Sequence, residues 1–252
     1  MATAPPDTRV RTDAVVSSST AADPVVDPTF LTAWDLGPRP GVMVPGEPVA
    51  KGSSVLILAP HMDDEVLGCS SFMHEGTTVL YFTDSGRQRY AESQEVLRIS
   101  GAEGIYFGGA DGAMDLASQR SLVGAIEKAL NKLKPATVLV PAASHHQDHQ
   151  AVFLAAQAAL RAHESNHRPR RVLVYEGPGT EIASPFRLFN PCLYRILTEE
   201  AINHKTRLLD AYGSQSYKAH LSAEVVLAIA AYRGSQVLVP YAEAFEVLRE
   251  VE

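Results

Sequence analysis

The sequence predicts an α/β fold in which a Rossmann-like, mainly parallel sheet carries helices on both faces. From residue 53 onward, short apolar runs alternate with longer segments whose apolar residues recur at helical spacing, and this alternation is typical of parallel sheets. The first run, 54–58, is apolar on both faces, as expected for a strand buried between two helical layers. After residue 176 the alternation changes, which predicts a smaller C-terminal α+β portion.

The segment before this alternation has a different composition. Residues 1–28 are rich in Ala, Thr, Ser, Pro and Asp and carry no aromatic anchor, so burial cannot offset the entropy cost of ordering them. We therefore predict a flexible tail over 1–28 and a single domain over 29–252. The stretch 30–35 contains the single tryptophan, Trp34, and is expected to pack onto that domain.

The elements follow in order along the chain. Candidate strands are 55–58, 78–83, 105–107, 137–140 and 172–175, and candidate helices between them are 90–99, 117–133 and 149–163. The C-terminal portion is predicted to contain an edge strand or hairpin within 186–197, helices at 198–211 and 221–232, and a final strand at 241–247. Thr198 and Ser222 have the side chains that cap helices at their N-termini.

Composition limits the partners and the compartment. A net charge of −7 without a basic stripe argues against a nucleic-acid partner, which would require lysines and arginines to neutralise phosphates. Cys69 and Cys192 are the two cysteines and cannot form a disulfide framework, so a cytoplasmic protein is expected. No apolar run approaches the about 20 residues of a membrane span. A homo-oligomer is left open.

A cluster of charged residues follows the first strand. His61, Asp63, Asp64 and Glu65 lie between the strand 55–58 and the start of a helix, at the edge of the sheet where open α/β folds bind their ligands. Carboxylates packed beside one another repel, and a bound divalent cation relieves that repulsion. The alternative is that one aspartate caps the helix and His61 is an ordinary turn residue.

A second cluster follows a second strand. His145, His146, Asp148 and His149 come after the strand 137–140 and open another helix; considered alone, Asp148 could be a helix cap and the histidines polar loop residues. Because both turns end parallel strands, they lie on the same edge of the sheet, and together they predict a metal site. Imidazole and carboxylate ligands favour zinc, and three protein ligands with an open position indicate catalysis.

Other site types are not expected. The sequence has no Gly-x-Gly-x-x-Gly after the first strand, no phosphate-loop lysine motif and no Gly-x-Ser-x-Gly elbow, which argues against a dinucleotide site, nucleotide hydrolysis by that route and serine-esterase chemistry. The Pro-Cys-x-x-Cys motif of zinc nucleobase deaminases is also missing.

Both clusters resemble the motifs of one family. Residues 60–65, Pro-His-Met-Asp-Asp-Glu, resemble the Ala-His-Pro-Asp-Asp-Glu signature of the PIG-L/LmbE-like zinc-dependent N-acetylglucosaminyl de-N-acetylases, and residues 146–149 resemble their His-Pro-Asp-His. Weaker resemblances follow in order at 83–84, 89–92, 109–112, 205–215 and 241–245. The residues before Gly52 lie outside the resemblance.

The resemblance implies a role for each matching residue. It implies that His61, Asp64 and His149 bind Zn²⁺, that Asp63 is the general base, that His146 donates a hydrogen bond or proton to the intermediate and leaving amine, that Asp148 orients His146 and raises its pKa, and that Arg89 and Asp111 hold sugar hydroxyls. Met62 and Gln147 replace prolines of the family's motifs. Neither replacement removes a ligand or the base.

The expected function is therefore a zinc-dependent hydrolase that removes an N-acetyl group from a small molecule containing N-acetylglucosamine, releasing acetate and a free amine. Two alternatives remain: a metal-dependent amidase for a bulkier amide of the thiol-conjugate type, and a non-catalytic sugar- or metal-binding module. The loop 85–87 reads Ser-Gly-Arg where the family has Gly-Glu. We expect the outer loops at 85–90 and 178–189 to determine which substrate is used.

Overall fold

The computed structural model describes residues 42–43, 54–178 and 189–252. Its strands are β1 (Val42–Met43), β2 (Val55–Ala59), β3 (Thr77–Asp84), β4 (Glu103–Ala110), β5 (Thr137–Pro141), β6 (Arg171–Tyr175), β7 (Leu193–Ile196) and β8 (Ala242–Glu250). They form one sheet in the order β1-β7-β8-β6-β5-β2-β3-β4. The strands from β6 to β4 in that order are paired in parallel, so the predicted α/β fold class is confirmed.

The helices of the described residues are α1 (Asp64–Cys69), α2 (Gly86–Ser100), α3 (Gln119–Leu133), α4 (Gln147–Ala159), α5 (Glu199–Ala211) and α6 (Ala223–Ser235). The predicted helix at 90–99 begins earlier than expected, at Gly86. The predicted helix at 149–163 is shifted toward the N-terminus, because His146 caps it and Leu160 leaves the helical conformation. None of these helices is long and apolar enough to cross a bilayer, over the described part of the chain.

Strand residues alternate between two apolar layers. Leu56 and Leu58 pack with the residues of α3 and α4 on one face, whereas Val55, Ile57 and Ala59 pack with those of α1, α2 and α5 on the other. Because successive strand side chains point to opposite faces, continuously apolar strands are what a sheet covered on both faces requires. The two apolar layers confirm the predicted helices on both faces.

The C-terminal portion extends the main sheet and does not form a second one. β8 lies between β6 and β7 and pairs antiparallel with both. The edge strand or hairpin predicted within 186–197 corresponds to β7, but the edge position was wrong, because β1 pairs with β7 on the side away from β8. Residues 179–188 lie outside the described residues. The predicted tail, 1–28, and the segment 30–35 also lie outside them, so these expectations stay predictions.

The strand order places a switch point between β2 and β5. From β2 the chain moves outward to β3 and β4, and then returns to the other side of β2 to form β5 and β6. Helices that follow neighbouring strands at such a point leave a crevice at the carboxyl ends, where doubly wound sheets bind ligands. The turns after β2 and β5 are the two that carry the histidines and aspartates.

Candidate metal centre

One side chain from each of three positions meets at the switch point. His61 follows β2, Asp64 is the first residue of α1, and His149 lies in the first turn of α4. Asp64 Oδ2 is 3.3 Å from His61 Nδ1 and 3.4 Å from His149 Nε2. His61 and His149, which are far apart in sequence, therefore both approach the same carboxylate oxygen of Asp64.

This arrangement fits a tetrahedral zinc ion. Ligand atoms about 2.1 Å from a tetrahedral ion lie about 3.4 Å from each other, which matches the observed spacings of 3.3 and 3.4 Å. Two imidazoles and one carboxylate are also a donor set that catalytic zinc uses, with the fourth position left for water or substrate. His61, Asp64 and His149 are the residues that could hold the ion.

The charges around this group also favour a cation. Asp63, Asp64, Glu65 and Asp148 are all buried, and buried carboxylates require compensation. Burial alone lowers the pKa of His61, but hydrogen bonds to Asp111 and Asp64 outweigh it and raise this pKa to about 11. Burial raises the pKa of Asp64, but the imidazoles of His149 and His61 hold that pKa well below its usual range. Positive charge is thus stabilised at this point of the structure.

Asp63 lies next to the candidate ligands without being one of them. Its backbone has a φ of 153°, an uncommon conformation that functional sites often contain. Its Oδ2 is 2.6 Å from Arg89 Nη2. Burial and the charge of Asp64 raise the pKa of Asp63 to about 8, against the opposing charge of Arg89. A carboxylate whose pKa is near neutral can accept a proton at ordinary pH.

Glu65 fixes the turn that presents Asp63. It is fully buried, and its Oε2 accepts a hydrogen bond of 3.1 Å from the backbone N–H of Asp63. The hydroxyls of Tyr81 and Tyr212 donate to the other oxygen, Oε1, at 3.0 and 2.5 Å. The sequence placed Glu65 in the first motif but did not identify its hydrogen-bond partners. The two tyrosines come from β3 and from the end of α5, and no sequence spacing relates them to it.

His146 lies on the open side of the site. It is exposed, it caps α4 by accepting a hydrogen bond from the backbone N–H of Asp148, and its ring centroid is 4.7 Å from that of His61. His146 can therefore reach a bound molecule while staying close to the candidate ligands.

The structure places the carboxylate of Asp148 beside His61, and the expected role of Asp148 toward His146 stays a prediction. Its backbone N–H donates a hydrogen bond to Nδ1 of His146. Its Oδ2 lies 3.0 Å from His61 Nε2 and accepts a hydrogen bond from the backbone N–H of Gly112, and its Oδ1 accepts one from Met114. A carboxylate can only accept, so Nε2 of His61 donates a hydrogen bond to Asp148, while Nδ1 faces Asp64. Carboxylates that orient a metal-binding histidine commonly have this arrangement.

Arg89 and Asp111, predicted to hold sugar hydroxyls, both lie at the site. The guanidinium of Arg89 is buried and pairs with Asp63 and with the carbonyl oxygen of Met62, so its observed partners are protein atoms and not an open space. Arg89 therefore compensates the charge of Asp63, and its contact with sugar hydroxyls stays a prediction. Asp111 is half exposed, and its Oδ1 is 3.3 Å from His61 Nε2.

A cavity of ≈ 190 Å³ contains these groups. Besides the predicted residues, its walls include Ser144, Gly177, Pro178, Lys218 and Leu221. Lys218 and Leu221 follow α5, far along the chain from both motifs, and sequence reasoning missed them. Only their position in the folded chain connects them with the site.

The fold and this site together define a class: a Rossmann-like α/β protein with a candidate centre of two histidines and one aspartate at the carboxyl ends of its strands. Within this class, residues 56–160 match the family model described as PIG-L, GlcNAc-PI de-N-acetylase. The matched segment carries both turns, so the resemblance predicted from them is confirmed over this part of the chain. No curated protein sequence matches the chain.

Solved structures support the same architecture. The conserved protein TT1542 from Thermus thermophilus is 26% identical, with a TM-score of 0.65, over 79% of this chain and 96% of that one. The N,N'-diacetylchitobiose deacetylase from Pyrococcus horikoshii is 18% identical, with a TM-score of 0.63, over 78% and 84%. The 4-carboxy-2-hydroxymuconate hydratase GalB from Pseudomonas putida is 16% identical, with a TM-score of 0.64, over 79% and 98%. One fold thus carries both a deacetylase and a hydratase.

Proposed function

We propose that the chain is a zinc-dependent hydrolase that removes an N-acetyl group from a small molecule containing N-acetylglucosamine, giving acetate and a free amine. The observation that carries this proposal is the position of Asp63, a buried carboxylate adjacent to the His61, Asp64 and His149 group but paired with Arg89. A base beside a metal group is the arrangement that amide hydrolysis by activated water requires.

When bound at these three residues, zinc would supply Lewis acidity to the amide carbonyl and lower the pKa of water. Asp63 accepts the proton of the attacking water. Arg89 holds that carboxylate in place through the 2.6 Å ion pair, and Glu65 holds its backbone. His146, on the exposed side, donates a hydrogen bond to the developing oxyanion and a proton to the leaving nitrogen.

The proposed amino-sugar substrate rests on the family match and on the walls of the cavity. Asp111 and Lys218 are polar side chains at its surface, and they can hydrogen-bond sugar hydroxyls. The N,N'-diacetylchitobiose deacetylase with the same fold is consistent with an acetylated amino sugar. Because a hydratase also has this fold, the fold alone does not determine the reaction. The reaction is therefore tested first.

The test measures acetate release from N-acetylglucosamine, its oligomers and its conjugates, with zinc-loaded and chelator-treated protein. Asp63→Asn should keep the metal but lower the rate about 10²- to 10⁴-fold, because general-base catalysis is lost. Asp115→Asn, at an exposed aspartate outside the site, serves as the matched control and should keep full activity.

Two results would contradict the proposal. Undiminished acetate release by Asp63→Asn would exclude Asp63 as the base. Stoichiometric zinc without hydrolysis of any acetylated amino sugar would instead favour a binding module.

A further inference from the structure

A second cavity adjoins the candidate site. Its volume is ≈ 200 Å³, and it shares the wall residues Asp63, Leu67 and Leu221 with the ≈ 190 Å³ cavity of the site. Its remaining walls come from the end of α5, the start of α6 and the segment between them. A molecule in the second cavity would therefore lie directly beside a molecule bound at the site.

The charged side chains of the second cavity are acidic. Asp63 and Asp210 line it, and among the described residues of its wall there is no lysine, arginine or histidine. Arg89 compensates Asp63 through their ion pair, whereas the exposed Asp210 takes part in no ion pair among the described residues. The C-terminal end of α5 and the N-terminal end of α6 both reach this wall, and their opposite partial charges offset each other. The negative charge of Asp210 is thus left uncompensated.

Gln215 adds a hydrogen-bond acceptor without a partner. Because Ser214 Oγ donates to Glu92 Oε2 at 2.5 Å, it accepts the 2.8 Å hydrogen bond from Gln215 Nε2. This network fixes the orientation of the amide. Gln215 is only 8% exposed, and its Oε1 has no hydrogen-bond partner among the described residues. Such a buried acceptor costs free energy until a donor reaches it.

Two serines of the same wall contribute one acceptor and one donor. Ser216 Oγ donates to a backbone carbonyl oxygen at 2.8 Å, so its lone pairs remain available. Ser222 Oγ accepts from the backbone N–H of Val225 at 3.3 Å, so its hydroxyl proton remains available. Together with Asp210 and Gln215, the wall therefore offers more acceptors than donors. A ligand that fits it must be rich in donors.

The size and the apolar part of the cavity suit a sugar ring. At about 10 to 15 Å³ for each water-sized group, a volume of ≈ 200 Å³ holds roughly a dozen such groups, which is the size of one hexose. Leu67, Leu209 and Leu221 lie among the polar groups of the wall. A sugar ring has C–H faces that pack on apolar side chains and an edge of hydroxyl donors, and a protonated amine on that edge would pair with Asp210.

We propose that the second cavity binds a hydroxylated ring with a protonated amino group, and that the substrate is an N-acetylated amino sugar linked to a second unit with a free amine. The ammonium group pairs with Asp210, and the hydroxyls of the ring donate to Gln215 and Ser216. The substrate assignment rests on the proposed function, because the acetylated unit reacts at the metal group. Binding of the ammonium group in the cavity can be tested without any reaction.

The activity test compares two disaccharides that differ in one substituent, with the zinc-loaded full chain and acetate release as the readout. In one, N-acetylglucosamine is linked to glucosamine, and in the other it is linked in the same way to glucose. At a pH at which the amine is protonated, kcat/KM should be about fivefold higher for the disaccharide with the amine, as expected for a partly exposed ion pair. Asp210→Asn should reduce this ratio to about one.

Glu200→Gln is the matched control. It removes the same charge from an exposed position near the other end of α5, outside the cavity, and should keep the fivefold preference. Both substitutions are at exposed positions, so neither should disturb the core. No preference for the amine in the wild type, or an equal loss of preference in both variants, would overturn the proposal.

A binding measurement separates this inference from the proposed function. Titration calorimetry should show glucosamine binding about fivefold more tightly than glucose, with a difference that decreases as salt is added. Because Asp210 lines the second cavity and not the site, loss of this difference in Asp210→Asn would assign it to the cavity.

The outcomes for the two proposals are distinct. Charge-selective binding without acetate release from any amino sugar would overturn the proposed function and support the ammonium cavity. Acetate release without any preference for the amine, in rate or in binding, would overturn the cavity and leave the proposed function intact. Absence of both would overturn both.

Discussion

The two turns that form the candidate centre differ in how firmly the protein holds them. In the turn after β2, His61, Asp63, Asp64 and Glu65 are all buried, and each makes a hydrogen bond or ion pair with a protein group. In the turn after β5, the side chains of residues 145–147 are exposed, and only Asp148 and His149 are turned inward.

This difference suggests a division of tasks between the turns. The buried turn holds the proposed base and two candidate ligands in fixed positions, which would limit the reorganisation needed during a reaction. The exposed turn contributes one candidate ligand, His149, from its inner side and the exposed His146 on its outer side. His146 and His149 are one helical turn apart, and their surroundings differ. His146 is exposed and lines the cavity, whereas His149 faces Asp64.

The largest expected effect is a difference between substitutions at His149, which faces Asp64, and at His146, which is exposed. His149→Ala should lose bound zinc, and acetate release should fall to the level of chelator-treated protein, because a ligand is removed. His146→Ala should retain zinc and lose about 10²- to 10⁴-fold in rate, as expected for a lost general acid. Metal content and acetate release are measured on the same samples.

His145→Ala is the matched control for that pair, since His145 is an exposed neighbour that does not belong to the candidate metal group. It should keep both zinc and activity. Full metal content in His149→Ala would show that the ligand set is assigned incorrectly.

The next largest effect concerns the buried ion pair between Glu243 and Lys205, which contacts the helix that follows the buried turn. Glu243 accepts hydrogen bonds from the backbone N–H groups of Ser70 and Ser71 and from Lys205, which also donates to the carbonyl oxygen of Leu67 in α1. Burial raises the pKa of Glu243, but Lys205 and these hydrogen bonds outweigh it and lower this pKa below 4.5. The ion pair therefore stabilises the folded protein above the unfolded pKa, and this contribution is lost as pH falls through the folded one.

Glu243→Gln should reduce the free energy of unfolding at pH 7 by about 3 to 5 kcal/mol, because Lys205 is left buried without its partner. The difference from the wild type should shrink as pH falls below the pKa of Glu243, since the wild-type carboxylate is then protonated as well. Denaturant titrations at several pH values measure this, with Glu103→Gln, at an exposed position, as control. A difference that does not change with pH would contradict the assigned ion pair.

The smallest effect tests the contact between the carboxylate of Asp148 and the ring of His61. Asp148→Asn should weaken zinc binding about 10- to 100-fold, as for other residues that orient a ligand, because its carboxylate accepts from His61. The measurement is competition for zinc with a chelator of known affinity. Unchanged zinc affinity with a reduced rate would instead support the role implied by the resemblance, in which Asp148 acts through His146.

Much of the fold could be predicted because the strands are apolar over their whole length. The runs at β2, β5 and β6 are buried on both faces, so composition alone identified them. The boundaries were less predictable, since α2 begins at Gly86, before the apolar periodicity starts. The two antiparallel strands of the C-terminal portion were also harder to place, because pairing partners are not encoded locally.

The sequence by itself determined the parallel α/β architecture and the eight charged or imidazole side chains at the two strand ends, since strand patterns and local motifs are readable along the chain. Only the tertiary structure decided which of them touch. It paired the carboxylate of Asp148 with His61, and the guanidinium of Arg89 with Asp63. It also brought Tyr81 and Tyr212 to Glu65 and placed Lys218 and Leu221 in the wall of the site cavity. The physical reason is that these contacts join residues from different strands and helices, whose distances are set by sheet order and packing and not by spacing along the sequence.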